Sequence, residues 1–219
     1  MNQNVRPYLI GVAGGTGSGK TTVAKRLVEG LPLGTAAAIQ QDSYYRHRTD
    51  LSPEERERIN FDHPDSLDNN LLVDHLKELQ AGRAIEQPQY DYATHLRRDE
   101  TITVEPRPIV VVEGILLLAD EAIREHLELK IFVDTDSDIR VLRRARRDME
   151  SRGRTFDQVR DQYYSTVRPM HIQFVEPSKR FANVIVPEGG KNEIALDMVL
   201  TKLRSVLGIG PASERPPAS

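Results

Sequence analysis

The sequence predicts an α/β fold: a parallel sheet flanked by helices, with an inserted β-hairpin and an arginine-rich helical lid. Three observations predict it. Apolar runs of strand length alternate with stretches of helical periodicity along the chain, which is the pattern of a parallel sheet wrapped by helices. The first apolar run leads straight into a glycine-rich turn and then a helix. A long run of arginines near residue 145 repeats with the period of a helix.

The expected strands are Tyr8–Ala13, Ala36–Gln40, Ile109–Val112, Leu129–Val133 and Val184–Val186. Helices are expected at about 21–31 and about 71–80, the second with Leu72, Leu76 and Leu79 on one face. Ser52-Pro53-Glu54-Glu55 has the form of a capping box with proline at the first helical position, so a short helix should start there. The 84–104 stretch, with Tyr90, Tyr92, Ile102 and Val104, reads as the inserted hairpin, and the lid spans about 137–165. A single domain should cover 1–207. The tail 208–219, rich in Pro, Gly, Ala and Ser, is expected to be disordered.

A chain of 219 residues can bury a real core. Its net charge of -3 argues against a generic nucleic-acid or anionic-membrane partner, which would call for a basic surface. The absence of Cys excludes disulfides and thiolate chemistry. No signal-peptide pattern opens the chain, and its longest apolar stretch, Ile109–Ala119, contains Glu113 and falls short of the ~20 residues that span a bilayer. A cytoplasmic setting is therefore expected.

Gly14-Gly15-Thr16-Gly17-Ser18-Gly19-Lys20-Thr21 fits the phosphate-loop pattern G-x-x-x-x-G-K-[ST]. Its glycines let backbone N–H groups turn toward phosphates. Lys20 should reach the β and γ oxygens, and the Thr21 hydroxyl should ligate Mg²⁺. No Asn-Lys-x-Asp guanine-recognition segment occurs. Glu113 ends a strand beside the phosphates, placed for magnesium. Asp42, directly after the second strand, faces the ligand crevice and should take an acceptor hydroxyl's proton or hold magnesium.

Arg140, Arg143, Arg144 and Arg147 share one helical face, while Leu142, Ala145 and Met149 should pack inward. Lys is absent from the stretch and Arg matches phosphate oxygens better, so the face reads as a lid over a triphosphate. Arg152 and Arg154 flank a helix-ending glycine.

With these residues in hand, the blocks GGTGSGKTT, QDSYY, NFDHPDSLD, YDYATH, VVEGIL, FVDTDSDIR, RRDMESRGR, VRPMH, FVEPSKR and VPEGGKN, in this order from about residue 8 to 204, resemble the uridine kinase (uridine–cytidine kinase) family. The resemblance implies Mg²⁺-dependent transfer from ATP or GTP to the 5′-hydroxyl of uridine or cytidine, and a homotetramer. It implies that Asp42 is the catalytic base, with Thr21, Asp42 and Glu113 around magnesium. Asp62 and Arg144 would hold the ribose hydroxyls, and Tyr90 and His95 would face the pyrimidine. Arg147 would act in catalysis and Arg152 on the nucleotide, while Arg154 and Gln162 would lie near the nucleoside. The Gly189–Asn192 loop, Lys191 included, would lie against adenine. Asp62, an acceptor-only carboxylate, suits a ribose cis-diol independently of the resemblance. Two alternatives stay open: a phosphoribulokinase- or pantothenate kinase-like enzyme, and a nucleotide sensor that transfers nothing.

Overall fold

Strands buried on both faces need apolar side chains at successive positions, and the two central runs supply them. In the computed structural model, which describes residues 6–210, the strands are β1 (Tyr8–Ala13), β2 (Ala36–Gln40), β3 (Ile85–Asp91), β4 (Leu96–Val104), β5 (Ile109–Gly114), β6 (Leu129–Asp134) and β7 (Val184–Pro187). Five of them form one parallel sheet in the order β2-β5-β1-β6-β7, and β3 pairs with β4 as a separate antiparallel hairpin. The helices are α1 (Lys20–Glu29), α2 (Pro53–Glu57), α3 (Asn69–Gln80), α4 (Glu121–Arg124), α5 (Ser137–Arg152), α6 (Phe156–Gln162), α7 (Arg168–Met170), α8 (Glu176–Ser178) and α9 (Glu193–Val206). No helix of the described residues is long and apolar enough to cross a membrane.

Alternation along the central strands splits the core into two. Leu9, Ala13, Val110, Val112 and Phe132 join Leu72, Leu76 and Leu79 of α3 on one face of the sheet. Ile10, Val12, Ile109, Val111, Ile131 and Val133 join Val23 and Leu27 of α1 and Leu196, Val199 and Leu203 of α9 on the other. Register then aligns the carboxyl ends: Val12 lies beside Glu113 and Gln40 on its other side, so three strands deliver their following residues to one place.

Local signals explain the boundaries. Ser52 and Glu55 form the capping box of α2 with Pro53 at its first position, and Thr155 with Gln158 does the same for α6. Gly153, at φ 65°, terminates α5 in the left-handed conformation that glycine adopts cheaply. Two π-helical turns, Tyr163–Val167 and His171–Val175, lie one on each side of α7. Each precedes a proline by two residues, Pro169 or Pro177, whose missing N–H removes one i→i−4 bond and favours a widened turn. Of the tail expected to be disordered, residues 211–219 lie outside the described residues.

The arginines of α5 do turn toward the phosphate loop, but its apolar residues do not pack inward as expected. Arg140, Arg144 and Asp148 are buried, whereas Leu142 and Met149 are 68% and 45% exposed. The cause is what the helix rests on. It crosses the phosphate loop and polar side chains rather than the apolar core, so its charged face finds partners inside. Val141 and Ala145 are only partly covered, beside Phe156 and Val159 of α6. Leu142→Ala should therefore change stability by no more than about 0.5 kcal/mol. Leu76→Ala, in the core, should cost about 2–5 kcal/mol. Equilibrium denaturation of the two variants checks the contrast.

Candidate active site

The strand–loop–helix order puts Gly14–Thr21 between the end of β1 and the first turn of α1. The Ser18 N–H donates to the Gly15 carbonyl at 3.0 Å, closing the turn, and Gly19 at φ 94° leads into the helix. Gly17 is also left-handed, at φ 77°, and a Cβ there would strike the backbone carbonyl of Arg140. The loop is thus held under α5 by close backbone approach. Thr135 Oγ1 donates to the Ser18 carbonyl at 3.0 Å, and Arg140 Nε donates to the Thr135 carbonyl at 3.0 Å. Arg140 Nη2 also donates to His171 Nε2 at 3.0 Å. Burial, then the Arg140 charge, pushes the His171 pKa down to about 4, so the imidazole is neutral and able to accept.

Lys20, in the first turn of α1, is buried with its Nζ 3.9 Å from Glu113 Oε2. Thr21 Oγ1 donates to Glu113 Oε1 at 3.0 Å. Burial raises the Glu113 pKa, with the Lys20 charge opposing. Among the described residues Glu113 Oε2 is buried without a hydrogen-bond donor. Thr21, Glu113 and nearby Asp42 are hard oxygen ligands, and a magnesium site needs only one or two carboxylates when phosphates complete the shell. The residues fit that ion.

Asp42 sits in a 3₁₀ turn, Gln41–Tyr44, directly after β2. Gln41 anchors the turn from beneath. Its Oε1 accepts from the Leu116 N–H at 3.2 Å and its Nε2 donates to Asn69 at 3.3 Å, while Asn69 donates to Asp120 at 2.8 Å. Gly114 is required here, because a Cβ would occupy the space of the Gln41 side chain.

One cavity opens above this turn. Thr16, Lys20, Asp42, Asp62, Tyr90, His95, Arg144, Arg147, Arg152, Arg154 and Gln162 all line it. The expected residues thus converge from the phosphate loop, β2, the 60s loop, the hairpin, α5 and α6. Arg144 donates to Thr16 Oγ1 at 3.1 Å and to Gln162 Oε1 at 2.9 Å, and Arg154 also donates to Gln162 Oε1. Asp62 is buried and accepts from Thr166 at 3.3 Å. Burial raises its pKa, offset in part by the Arg144 charge and the Thr166 hydroxyl.

Lys191 is placed elsewhere. It is exposed and outside the cavity lining, on a loop whose glycines pack against the phosphate loop and α1. Arg26 donates to the Gly190 carbonyl and secures that loop.

Sequence reasoning passed over three members of an aromatic wall. Tyr45, Phe61 and Tyr92 line the cavity with Tyr90 and His95. The His95 ring stacks on Phe61 at 4.8 Å and 18°, and Tyr45 lies 5.2 Å from Phe61 and 5.1 Å from Tyr90. Tyr90 Oη and His95 Nδ1 are buried with no hydrogen-bond partner among the described residues. A flat ring with polar edges suits such a wall. Adjacency to Asp42 and Asp62 was the only signal for Tyr45 and Phe61. Asp148, the buried partner of the cavity arginines, had none beyond its place in an arginine run.

Residues 9–195 match the family described as Phosphoribulokinase / Uridine kinase family. The chain belongs to that family. Relatives named uridine kinase include one from Halalkalibacterium halodurans, 54% identical over 92% of this chain and 96% of its own length. Another, from Brevibacillus brevis, is 53% identical over 92% of this chain and 94% of its own length. Solved structures share the fold at lower identity. Phosphoribulokinase from Rhodobacter spheroides superposes with a TM-score of 0.62 at 16% identity, over 84% of this chain and 71% of that one. D-glycerate 3-kinase from Cryptococcus neoformans also gives 0.62, at 17% identity over 85% and 87% of the two chains.

The raised pKa of Asp62 is a statement about stability. A carboxyl whose folded pKa is raised contributes stability at acid pH that is lost as pH rises through that folded value. The charged form therefore burdens the ligand-free fold at pH 7, and Asp62→Asn should melt no lower than the unsubstituted protein there. Any gain should vanish as the pH falls through the carboxylate range. Melting curves across pH check both points.

Proposed function

We propose that this chain is an ATP-dependent nucleoside kinase that moves the γ-phosphoryl group to the 5′-hydroxyl of uridine or cytidine, giving UMP or CMP. One observation carries the reading: phosphate-loop residues, a carboxylate on a rigid turn, a buried Asp–Arg pair and an aromatic wall share a single cavity. The 54% identity to a relative named uridine kinase, over nearly the whole of both chains, supports it.

In this reading the polyphosphate lies on the loop amides and the amino end of α1, with Lys20 on the β and γ oxygens. Asp42 takes the proton of the 5′-hydroxyl as the new O–P bond forms and the bridging bond to ADP breaks. Thr21 and Glu113, with Asp42 close by, would hold Mg²⁺, which supplies charge neutralisation on the phosphates. Asp62 and Arg144 hold the ribose hydroxyls. Arg147 and Arg152 meet phosphate charge, Arg154 and Gln162 border the nucleoside, and Lys191 borders the donor base. GTP as an alternative donor, a homotetramer and a cytoplasmic setting belong to the same reading, on the strength of the resemblance.

Coupled ADP release against uridine, cytidine, purine nucleosides, ribulose 5-phosphate and pantothenate tests it. Turnover with both pyrimidine nucleosides is expected, and turnover confined to a sugar phosphate or pantothenate would overturn it. Asp42→Asn should retain nucleoside binding while kcat falls at least ~100-fold, about 2.7 kcal/mol of transition-state stabilisation. An increase in KM alone would make Asp42 a binding residue.

Base choice rests on His95. Uracil offers a donor at N3 and an acceptor at O4; cytosine offers the reverse. Neutral imidazole has one donor and one acceptor nitrogen and serves either by tautomer or ring orientation. Burial, then the Arg154 charge, lowers the His95 pKa and keeps the ring neutral. His95→Tyr should shift the uridine-to-cytidine ratio of kcat/KM about tenfold or more, as a misplaced buried polar group would. An unchanged ratio would remove His95 from base selection.

A further inference from the structure

Asp148 is fully buried on the inward face of α5, and four arginines meet on its carboxylate. Arg147 Nε and Nη2 lie 3.0 and 2.9 Å from Oδ1, with Arg152 Nη1 at 3.5 Å. Arg144 Nε and Arg154 Nη1 stand 3.4 and 3.7 Å from Oδ2, which accepts no hydrogen bond from the described residues. All four arginines line the cavity that also holds Lys20. Their freedom differs. The Arg144 side chain is 7% exposed and tied to Thr16 and Gln162, whereas Arg147 and Arg152 are 41% and 28% exposed. For Arg152 the remaining partner is a ring, its guanidinium lying 4.7 Å above Tyr92.

A carboxylate collecting several guanidiniums in one spot does for them what a phosphate does, offering acceptor oxygens to planar donor forks. We infer that Asp148 is a built-in stand-in for a phosphate group, which gathers the cavity arginines and competes with the nucleotide for the outer ones. Arg144 stays with Asp148 throughout. Arg147 and Arg152 exchange the carboxylate for phosphate oxygens when a polyphosphate enters, and return as it leaves. Asp148 is thus a positioning residue: it touches no substrate atom and acts through the arginines. The inference rests on the nucleotide-kinase reading above.

The sign of one measurement separates this role from a structural one. Lys20 and the four arginines face Asp42, Asp62, Glu113 and Asp148, so removing one carboxylate strengthens the attraction for a polyphosphate. Asp148→Asn preserves side-chain size and should bind ATP more tightly, with Kd falling at least ~5-fold by calorimetric titration. Its kcat should fall at least ~10-fold with a raised nucleoside KM, because tighter ground-state binding does not speed transfer and the arginines are no longer held in register. Asp148→Glu retains the charge but displaces it, so its ATP Kd should stay within about twofold of wild type while kcat falls at least ~10-fold. A carboxylate that merely supports the fold would give weaker ATP binding in both variants, and that result overturns the inference. So does an Asp148→Asn protein that binds ATP no more tightly than wild type. Should Asp148→Asn fail to fold, Asp148→Glu alone decides between retained and lost affinity. Wild-type protein measured alongside keeps the two claims apart: failure of wild type to bind ATP or transfer phosphate refutes the kinase reading itself.

Discussion

Lys20 and Glu113 face each other across 3.9 Å with about a tenth of either side chain exposed. Two charges withdrawn from water to this degree are tolerable only as a pair, since breaking such a pair strands a buried ion. The backbone brings the two residues together. β1 and β5 are neighbours in register, Val12 beside Glu113, and the phosphate loop carries the chain from β1 back over that point to Lys20. The rest of the cavity is built outward from this pair. Gly114 follows Glu113 and admits the Gln41 side chain, which holds the turn bearing Asp42.

A second layer of buried charge closes the cavity from above, and it uses arginine throughout. A guanidinium has five donors in a plane, so several neutral acceptors can replace its water. Arg140 donates to the Thr135 carbonyl and a neutral His171, while Arg144 donates to Thr16 and Gln162 and keeps its Nε 3.4 Å from the Asp148 carboxylate. A lysine in either place could not reach the same acceptors with a fixed fork. Because Arg140 also presents its carbonyl to Gly17, the helix that brings the arginines is the one that pins the phosphate loop.

Features that depend on contiguous residues were legible in the sequence. The parallel sheet showed because β1 and β5 are buried on both faces and read as apolar runs, and the phosphate loop showed because eight consecutive residues make it. The facing of α5 did not show, because periodicity assumes that apolar residues turn inward. That holds for α3, whose Leu72, Leu76 and Leu79 meet a core, and fails for a helix resting on a polar loop. Asp148 was hidden for a related reason: an acid within a run of seven arginines reads, as Glu150 does, as a solvent-exposed i, i+4 partner. Tyr90 and His95 were expected at the base, but the rest of the aromatic wall was hidden, because Tyr45 and Phe61 come from separate segments whose meeting with the hairpin only tertiary structure decides.

The hairpin shows how such separate segments are made to act as one body. His95, at φ 55°, takes a left-handed conformation that L side chains rarely adopt, and the turn it closes lays its ring flat on Phe61. The hairpin is then bolted to the segment that carries Asp42. Arg97 donates to the carbonyls of Tyr45 and Tyr44 at 2.8 and 3.1 Å and pairs with Asp68 at 3.3 Å, and Gln87 donates to Ser43 at 3.2 Å. From the other side, Arg56 donates to the Thr94 carbonyl at 3.1 Å. The aromatic wall and the carboxylate therefore share a single frame, referenced through Gln41 to the end of β5. The arginines belong to a different frame, α5 with the helical turns that follow it. The two frames meet inside the cavity, where the Arg152 guanidinium lies 4.7 Å above Tyr92 and Thr166 donates to Asp62 at 3.3 Å.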